Sequence, residues 1–146
     1  MSGFRHLTDT MLASPQVVPT DVAEARALGV TMIVNNRPEG ESEDQTPGAE
    51  IAAAAREAGI GYHAIPVTHA GFSEAQIDAM AEILAEADGT VLAYCRTGTR
   101  STLLWSLAQA KAGHDPGEVA ATAAKAGYDV SPVRPLMDML VARAKG

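Results

Sequence analysis

Alanine-rich segments alternate with short β-branched and aliphatic runs along most of this sequence, and most of the alanine-rich segments end at a glycine. Alanine favours helix, and a short β-branched run favours a strand that is buried on both faces. Strands that alternate with helices form a mainly parallel sheet, because a helix provides the crossover that each parallel connection needs. The predicted strands are 30–35, 62–67 and 90–94. The predicted helices are 20–28, 47–58, 73–87 and 101–112. Two more helices follow: one is opened by Asp115-Pro116 and ended by Gly127, and the last is opened by Ser131-Pro132.

Two short segments near the N-terminus could also be extended. Residues 4–7 (FRHL), and with them 11–14 (MLAS), could add an edge strand, which would bring the sheet to four or five strands. A chain of 146 residues fits one ordinary domain, and no linker or repeat divides it. We therefore expect residues 1–146 to form a single α/β domain, with a mainly parallel sheet flanked by helices.

The charge balance excludes several classes of partner. With 11 basic and 18 acidic residues the net charge is −7, which argues against a broad nucleic-acid or anionic-membrane surface, because both need an excess of lysine and arginine. No apolar run approaches the ~20 residues of a membrane helix, and the start of the chain lacks the regions of a signal peptide. We expect a cytoplasmic protein without nucleic-acid or membrane partners, in which any anion site is confined to one pocket.

A single cysteine, Cys95, limits the chemistry further. It excludes an internal disulfide, a cysteine-rich metal site and a dithiol mechanism within this chain. The four histidines are too scattered for a sequence-level ligand motif. We expect neither a metal nor a cofactor.

One loop carries most of the candidate chemistry; its sequence is Cys95-Arg96-Thr97-Gly98-Thr99-Arg100-Ser101. It joins a predicted buried strand to a helix, where backbone N–H groups and the positive end of the helix dipole can bind an anion. The same groups, with the two arginines, would stabilise a thiolate at Cys95. Gly98 permits the tight turn, and Ser101 would cap the helix or donate to the sulfur. The alternative is a buried structural cysteine, which would not explain the glycine and arginines that follow it.

A second polar segment, 36–46, also follows a predicted strand. The carboxyl ends of parallel strands meet at one edge of the sheet, where ligands bind in such folds. Arg37 directly follows its strand and could hold a substrate oxyanion there, or it could instead pair with neighbouring acids. Glu39 and Glu41 could also reach this edge, although acidic residues of surface loops usually only face water.

The cysteine loop resembles the active-site loops of two related families. Cysteine-dependent phosphatases carry H-C-x-x-G-x-x-R-[ST], whereas rhodanese-type sulfurtransferases carry C-R-x-G-x-R or close variants. Gly98 fits both patterns, but Arg100 lies five positions after the cysteine instead of six, and Tyr94 stands where the phosphatases have histidine. By its spacing, the loop is similar to that of rhodanese.

The rest of the chain, over roughly residues 4–112, resembles the phosphatase-like domain of the β-lactamase hydrolase-like proteins. The resemblance rests on the runs VTMIVNNRPEGE, YHAIPV and VLAYCRTGTRS. It implies the fold of the dual-specificity phosphatases. Members of this family occur alone or fused to a metallo-β-lactamase-like domain that oxidises persulfides, which implies a protein of that kind as a possible partner in trans.

The proton donor distinguishes the two chemistries. A dual-specificity phosphatase supplies an aspartate from the loop after the preceding strand, and this aspartate protonates the leaving alkoxide. The corresponding loop here, Thr68-His69-Ala70-Gly71-Phe72, has no carboxylate. His69 could donate a proton, or it could be an ordinary solvated histidine. Sulfur transfer has no such requirement, because thiosulfate leaves as the stable anion sulfite.

We therefore expect a rhodanese-like sulfurtransferase in which Cys95 carries a persulfide formed from thiosulfate or another persulfide. Arg100 and Ser101 would assist Cys95 in catalysis. The residues expected to bind the anionic substrate are Arg96, Thr97, Gly98, Thr99, Arg37 and His69. Two alternatives remain open, namely a cysteine phosphatase with a Cys95 phosphoenzyme and an anion-binding module without turnover.

Overall fold

The computed structural model describes residues 3–146, which contain one five-stranded sheet. Its strands are β1 (Arg5–Thr8), β2 (Met11–Ser14), β3 (Val30–Asn35), β4 (Gly61–Ala64) and β5 (Thr90–Tyr94). Their order across the sheet is β1-β2-β5-β3-β4. The last four strands in this order are parallel, and β1 is antiparallel to β2. The predicted α/β fold with a mainly parallel sheet is confirmed.

Helices cover both faces of the sheet. They are α1 (Pro19–Ala27), α2 (Gly48–Ala58), α3 (Glu74–Glu86), α4 (Thr99–Lys111), α5 (Pro116–Lys125) and α6 (Arg134–Lys145), and a short 3-10 turn spans Ser131–Val133. Successive side chains of a strand point to opposite faces, so Leu92 and Tyr94 of β5 pack with α1 and α2, whereas Val91 and Ala93 pack with α3 to α6. Within residues 3–146, no helix is both long and apolar enough to span a bilayer.

The N-terminal strands differ from the expected edge strand. β1 is the edge, but β2 lies inside the sheet and pairs in parallel with β5 over its full length, from Met11 opposite Val91 to Ser14 opposite Tyr94. All four side chains of β2 are buried. An interior strand needs partners on both sides, and the pairing with β5 is made by residues too distant in sequence for local patterns to indicate it.

Among the differences in element boundaries, two affect the site. β4 ends at Ala64 instead of residue 67, because Pro66 has no N–H with which to continue the ladder. Ile65 and Val67 still donate to the carbonyls of Asn35 and Asn36, both at 2.9 Å. Helix α4 begins at Thr99, two residues before the predicted start, so its first turn includes Arg100 and Ser101. The cysteine loop is correspondingly short.

Candidate active site

The cysteine loop begins at the centre of the sheet. Tyr94, the last residue of β5, lies opposite Ser14 of β2 on one side and Asn35 of β3 on the other. The three strands therefore end side by side, at the same position along the strand direction. The backbone N–H of Cys95 donates to the carbonyl of Ser14 at 3.2 Å, and that of Asn36 donates to the carbonyl of Tyr94 at 2.8 Å. The ends of β2, β3 and β5 thus bring their following loops together at the edge where ligands bind in parallel sheets.

Cys95 is fully buried at the base of this loop. Its Sγ accepts a hydrogen bond from the backbone N–H of Gly98 at 3.1 Å. Gly98 precedes α4 with a φ of 92°, a left-handed conformation that favours glycine. The first turn of α4 leaves N–H groups without partners inside the helix, and the helix dipole adds positive potential there. The Cys95 sulfur therefore accepts one backbone N–H and lies at the N-terminal end of α4, where the helix dipole favours negative charge.

The side chains of Arg96, Thr97 and Thr99 are exposed, although the sequence placed all three at the anion site. The hydroxyl of Thr97 donates to that of Thr99 at 3.0 Å. Any contact of these residues with an anion in the loop is therefore expected from their backbone N–H groups.

Arg100 is held on one edge of its guanidinium. Its Nη1 donates to Glu41 Oε2 at 2.7 Å and its Nη2 to Glu41 Oε1 at 2.8 Å, and Nη1 also donates to the carbonyl of Val67 at 2.7 Å. These hydrogen bonds to Glu41 raise the pKa of Arg100, burial opposes this shift, and the nearby Cys95 adds to it. A guanidinium has five N–H groups, so the edge formed by Nε and Nη2 is left to bind an anion.

Arg37 reaches the same carboxylate from the end of β3. Its Nε donates to Glu41 Oε1 at 2.9 Å, its Nη1 to Gln16 at 3.0 Å and its Nη2 to Ser42 at 3.2 Å. The side chain is only 5% exposed. Of the two possibilities considered for Arg37, the structure shows the pairing with a neighbouring acid, and that acid in turn holds Arg100. Binding of a substrate oxyanion by Arg37 remains a prediction.

Glu41 is consequently a fixed anion. The hydrogen bond from Arg100, opposed by burial and reinforced by Arg37, lowers the pKa of Glu41 to about 2. A carboxyl that is ionised throughout the neutral range has no proton to give. Glu41 therefore binds the two arginines and does not serve as a general acid.

Ser101 does not have either of the predicted contacts. The N-cap of α4 is Gly98, and the Ser101 hydroxyl donates to Asn36 Oδ1 at 2.7 Å instead of capping the helix or reaching the sulfur. The Asn36 amide in turn donates to the carbonyl of Ile65 at 3.0 Å. The reason is that α4 begins two residues early, which turns Ser101 toward the end of β3. Its hydroxyl donates to the Asn36 side chain, which in turn contacts the residue that follows β4, so the pair joins α4 to the ends of β3 and β4. A part for Ser101 in catalysis remains a prediction.

His69 is exposed on the loop that follows Val67. Because the Val67 carbonyl contacts Arg100, this loop starts at the edge of the site. No hydrogen bond or ion pair of the described residues connects His69 to Cys95 or Arg100. Its predicted role as a proton donor remains a prediction.

Several contributors were not identified from the sequence. Gln16 and Asn36 follow strand ends and could have been found from the expected sheet edge, but Tyr128 has no motif around it. The Tyr128 hydroxyl donates to the carbonyl of Thr97 at 3.3 Å, from 31 residues further along the chain. Residues 3–146 contain no group of three or more His, Cys, Asp or Glu side chains arranged to hold a metal ion.

Comparison with known proteins places most of the chain in one family. The family model of the phosphatase-like domain of β-lactamase hydrolase-like proteins matches residues 3–112. A β-lactamase hydrolase-like protein of Xylella fastidiosa is 36% identical over 103 residues, which cover 70% of this chain and 24% of that protein. The chain thus spans about a quarter of the length of the curated relatives it matches.

Solved structures with a similar fold include phosphatases. A candidate phosphatase from Neisseria meningitidis has a TM-score of 0.82 and 32% identity, over 96% of this chain and 99% of that one. TpbA of P. aeruginosa, solved with phosphotyrosine, has a TM-score of 0.67 at 16% identity, over 99% of this chain and 91% of that one, which shows the fold alone. These relatives do not support the expected sulfurtransferase and agree better with the phosphatase alternative. The chain belongs to the family of the phosphatase-like domain of β-lactamase hydrolase-like proteins, a family similar to the cysteine phosphatases.

Proposed function

We propose that this chain hydrolyses phosphate monoesters with Cys95 as the nucleophile. The observation that carries the proposal is the arrangement of Arg100, which Glu41 holds by one edge, so that the Nε and Nη2 edge is available to an anion next to Cys95. A guanidinium edge binds two oxygens of a phosphate at once. The family assignment supports the same chemistry.

The reaction has two steps. In the first, the Cys95 thiolate attacks phosphorus, an S–P bond forms, and the P–O bond to the leaving group breaks with its electron pair on oxygen. In the second, water attacks the phosphocysteine, the S–P bond breaks, and the thiolate and inorganic phosphate are released. Arg100 and the backbone N–H groups of the loop stabilise the charge on the equatorial phosphate oxygens in both steps.

The leaving group needs a proton in the first step unless it is a stable anion. Glu41 cannot supply that proton because the two arginines keep it ionised, and residues 68–72 contain no carboxylate. His69 is the donor we propose for leaving groups that require one, since its loop begins beside Arg100. Aryl phosphates, including phosphotyrosine, are the better substrates because a phenolate leaves more readily than an alkoxide.

The proposal is tested with an aryl phosphate and with vanadate, which resembles the phosphate in its transition state. We expect hydrolysis by the wild type, none by Cys95→Ser, and competitive inhibition by vanadate. Intact mass of a rapidly quenched reaction should show one phosphoryl group on the wild type. A protein that neither hydrolyses aryl phosphates nor binds vanadate would refute the proposal.

Sulfur transfer is the second candidate, and the specific observation that favours it is the short loop, with four residues between Cys95 and Arg100. In that case the Cys95 thiolate would attack the outer sulfur of thiosulfate or a persulfide, forming an S–S bond as sulfite or a thiolate leaves. Cyanide or a thiol would then take that sulfur, giving thiocyanate or a persulfide and restoring the thiolate. The same mass measurement separates the two functions, since a sulfur atom and a phosphoryl group differ in mass. We expect a persulfide-oxidising protein as a partner in trans only if the mass measurement shows a sulfur atom on Cys95.

A further inference from the structure

The cysteine loop is held from outside by two hydrogen bonds to its carbonyl groups. The carbonyl of Arg96 accepts from the backbone N–H of Gln16 at 3.4 Å, and that of Thr97 accepts from the Tyr128 hydroxyl at 3.3 Å. Both carbonyls therefore point toward the surrounding scaffold. One donor comes from the chain after β2, and the other from the segment after α5.

The orientation of a carbonyl determines the orientation of the next N–H. In a trans peptide the C=O and N–H groups point in opposite directions, so a carbonyl directed at the scaffold turns the following N–H toward the site. For Thr97 that following N–H belongs to Gly98, and it donates to Cys95 Sγ at 3.1 Å. The Tyr128 hydroxyl and the Cys95 sulfur thus bind opposite sides of one peptide group.

Tyr128 is itself firmly placed. Its side chain is 7% exposed, and the Arg5 guanidinium lies 5.3 Å from the centre of its ring. Arg5 also donates to the carbonyl of Ala126 at 2.9 Å, which fixes the chain just before the tyrosine. Burial raises the pKa of Tyr128, so its hydroxyl stays a proton-bearing donor in the neutral range.

Gly98 and Tyr128 are fitted to each other. A Cβ on Gly98 would lie 2.2 Å from the Tyr128 oxygen, far inside the contact distance. The φ of 92° at Gly98 would also strain any other residue. The close approach of the phenol to this peptide therefore depends on glycine at position 98.

We propose that Tyr128 is a positioning residue for the nucleophile: its hydroxyl orients the Thr97–Gly98 peptide so that the Gly98 N–H stabilises the Cys95 thiolate. Tyr128 lies beyond residues 3–112, the part matched by the family model. The inference rests on Cys95 acting as a thiolate, which both candidate functions require. It does not depend on the substrate.

The test is Tyr128→Phe, which removes only the hydroxyl. Because Cys95 is the one cysteine, the ultraviolet absorbance of its thiolate against pH can be read as a difference from Cys95→Ser. We expect the midpoint of this signal to rise by about one pH unit in Tyr128→Phe, and activity near neutral pH to fall by up to roughly tenfold, since one pH unit corresponds to a tenfold change in the ratio of thiolate to thiol.

Two variants separate this role from a loss of stability. Tyr94→Phe makes the same chemical change at a buried hydroxyl that makes no hydrogen bond to the cysteine loop, and its midpoint should match the wild type. Val119→Ala, on α5, should lower the melting temperature without moving the midpoint. A folded Tyr128→Phe with the wild-type midpoint overturns the proposal, and so does an equal shift in Val119→Ala. Either result leaves the proposed phosphatase reaction to be judged by its own assay.

Discussion

Glu41 meets Arg100 end-on, with the two carboxylate oxygens 2.7 and 2.8 Å from Nη1 and Nη2, across 59 residues of sequence. Arg37 Nε donates at 2.9 Å to Glu41 Oε1, the oxygen that Arg100 Nη2 also contacts. Because the end of the Arg100 guanidinium is occupied, an incoming anion meets the Nε and Nη2 edge. If Arg100 binds the substrate as we propose, Glu41 fixes the direction from which it does so.

Replacing Glu41 with Gln should remove a pH-dependent part of the stability. The pKa of Glu41 falls from its usual 4.5 to about 2 in the folded protein. A carboxyl whose pKa is lower in the folded state stabilises the fold above the unfolded pKa and loses this contribution as the pH falls. We expect the wild type to lose on the order of 2 kcal/mol through this group between pH ~4.5 and ~2. Urea unfolding at several pH values measures the effect.

Glu43→Gln is the matched control for that experiment. Glu43 lies in the same loop and is exposed, so its removal should leave the dependence of unfolding on pH close to that of the wild type. If Glu41→Gln and Glu43→Gln lose stability equally as the solution is acidified, the ion pairs of Glu41 with the two arginines do not stabilise the folded state in solution.

Arg100→Lys should weaken anion binding although it keeps the positive charge. A lysine ammonium has no planar edge with which to bind two oxygens, and it cannot hold Glu41 and a phosphate together. We expect vanadate affinity to fall roughly 10- to 100-fold, the range given by one or two hydrogen bonds between charged groups. Calorimetric titration would measure this loss.

Arg96→Lys provides the comparison, because the structure leaves the Arg96 side chain exposed. The same conservative substitution there should change vanadate affinity by less than about threefold, since exposed charges are screened by solvent. Equal losses in the two variants would mean that the loop attracts anions through its overall charge, without a specific role for the edge of Arg100.

Much of this site could be predicted from local sequence. The strand before Cys95 and the helix after Arg100 indicate a loop at the carboxyl end of a parallel strand, and the fold is built in that way. The predicted start of α4 is two residues late, because its N-cap, Gly98, provides no side-chain cap that a sequence pattern would indicate. That small error changed the role assigned to Ser101.

The long-range contacts could not be predicted in the same way. The pairing of Glu41 with Arg100 and the hydrogen bond of Tyr128 with Thr97 join residues from separate loops, whose distance depends on the order of strands in the sheet. The interior position of β2, which the local sequence does not indicate, brings Gln16 beside Arg37. Spacing along the chain indicates which groups follow a strand, but not which groups meet.

Ser101→Ala should destabilise the fold although it removes a single oxygen. The hydroxyl is fully buried and donates to Asn36 Oδ1 at 2.7 Å, so its loss leaves a buried acceptor unsatisfied. We expect a loss of about 1–3 kcal/mol in urea unfolding. Ser106→Ala, on the same helix, is the control, because the Thr102 carbonyl that Ser106 contacts keeps its place in the helix and the cost should be smaller. Equal costs would contradict the structural role given to Ser101.

The last prediction concerns the proton for the leaving group. If His69 supplies it, His69→Ala should reduce kcat for alkyl phosphates by roughly 100-fold, the scale of general acid catalysis, and change kcat for an aryl phosphate with a stable phenolate by less than about threefold. His63→Ala is the control, since His63 is exposed on β4 and paired through its backbone with Val34. Equal losses on both substrates would show that His69 binds the phosphate or supports its loop, and that alkyl substrates receive their proton from water.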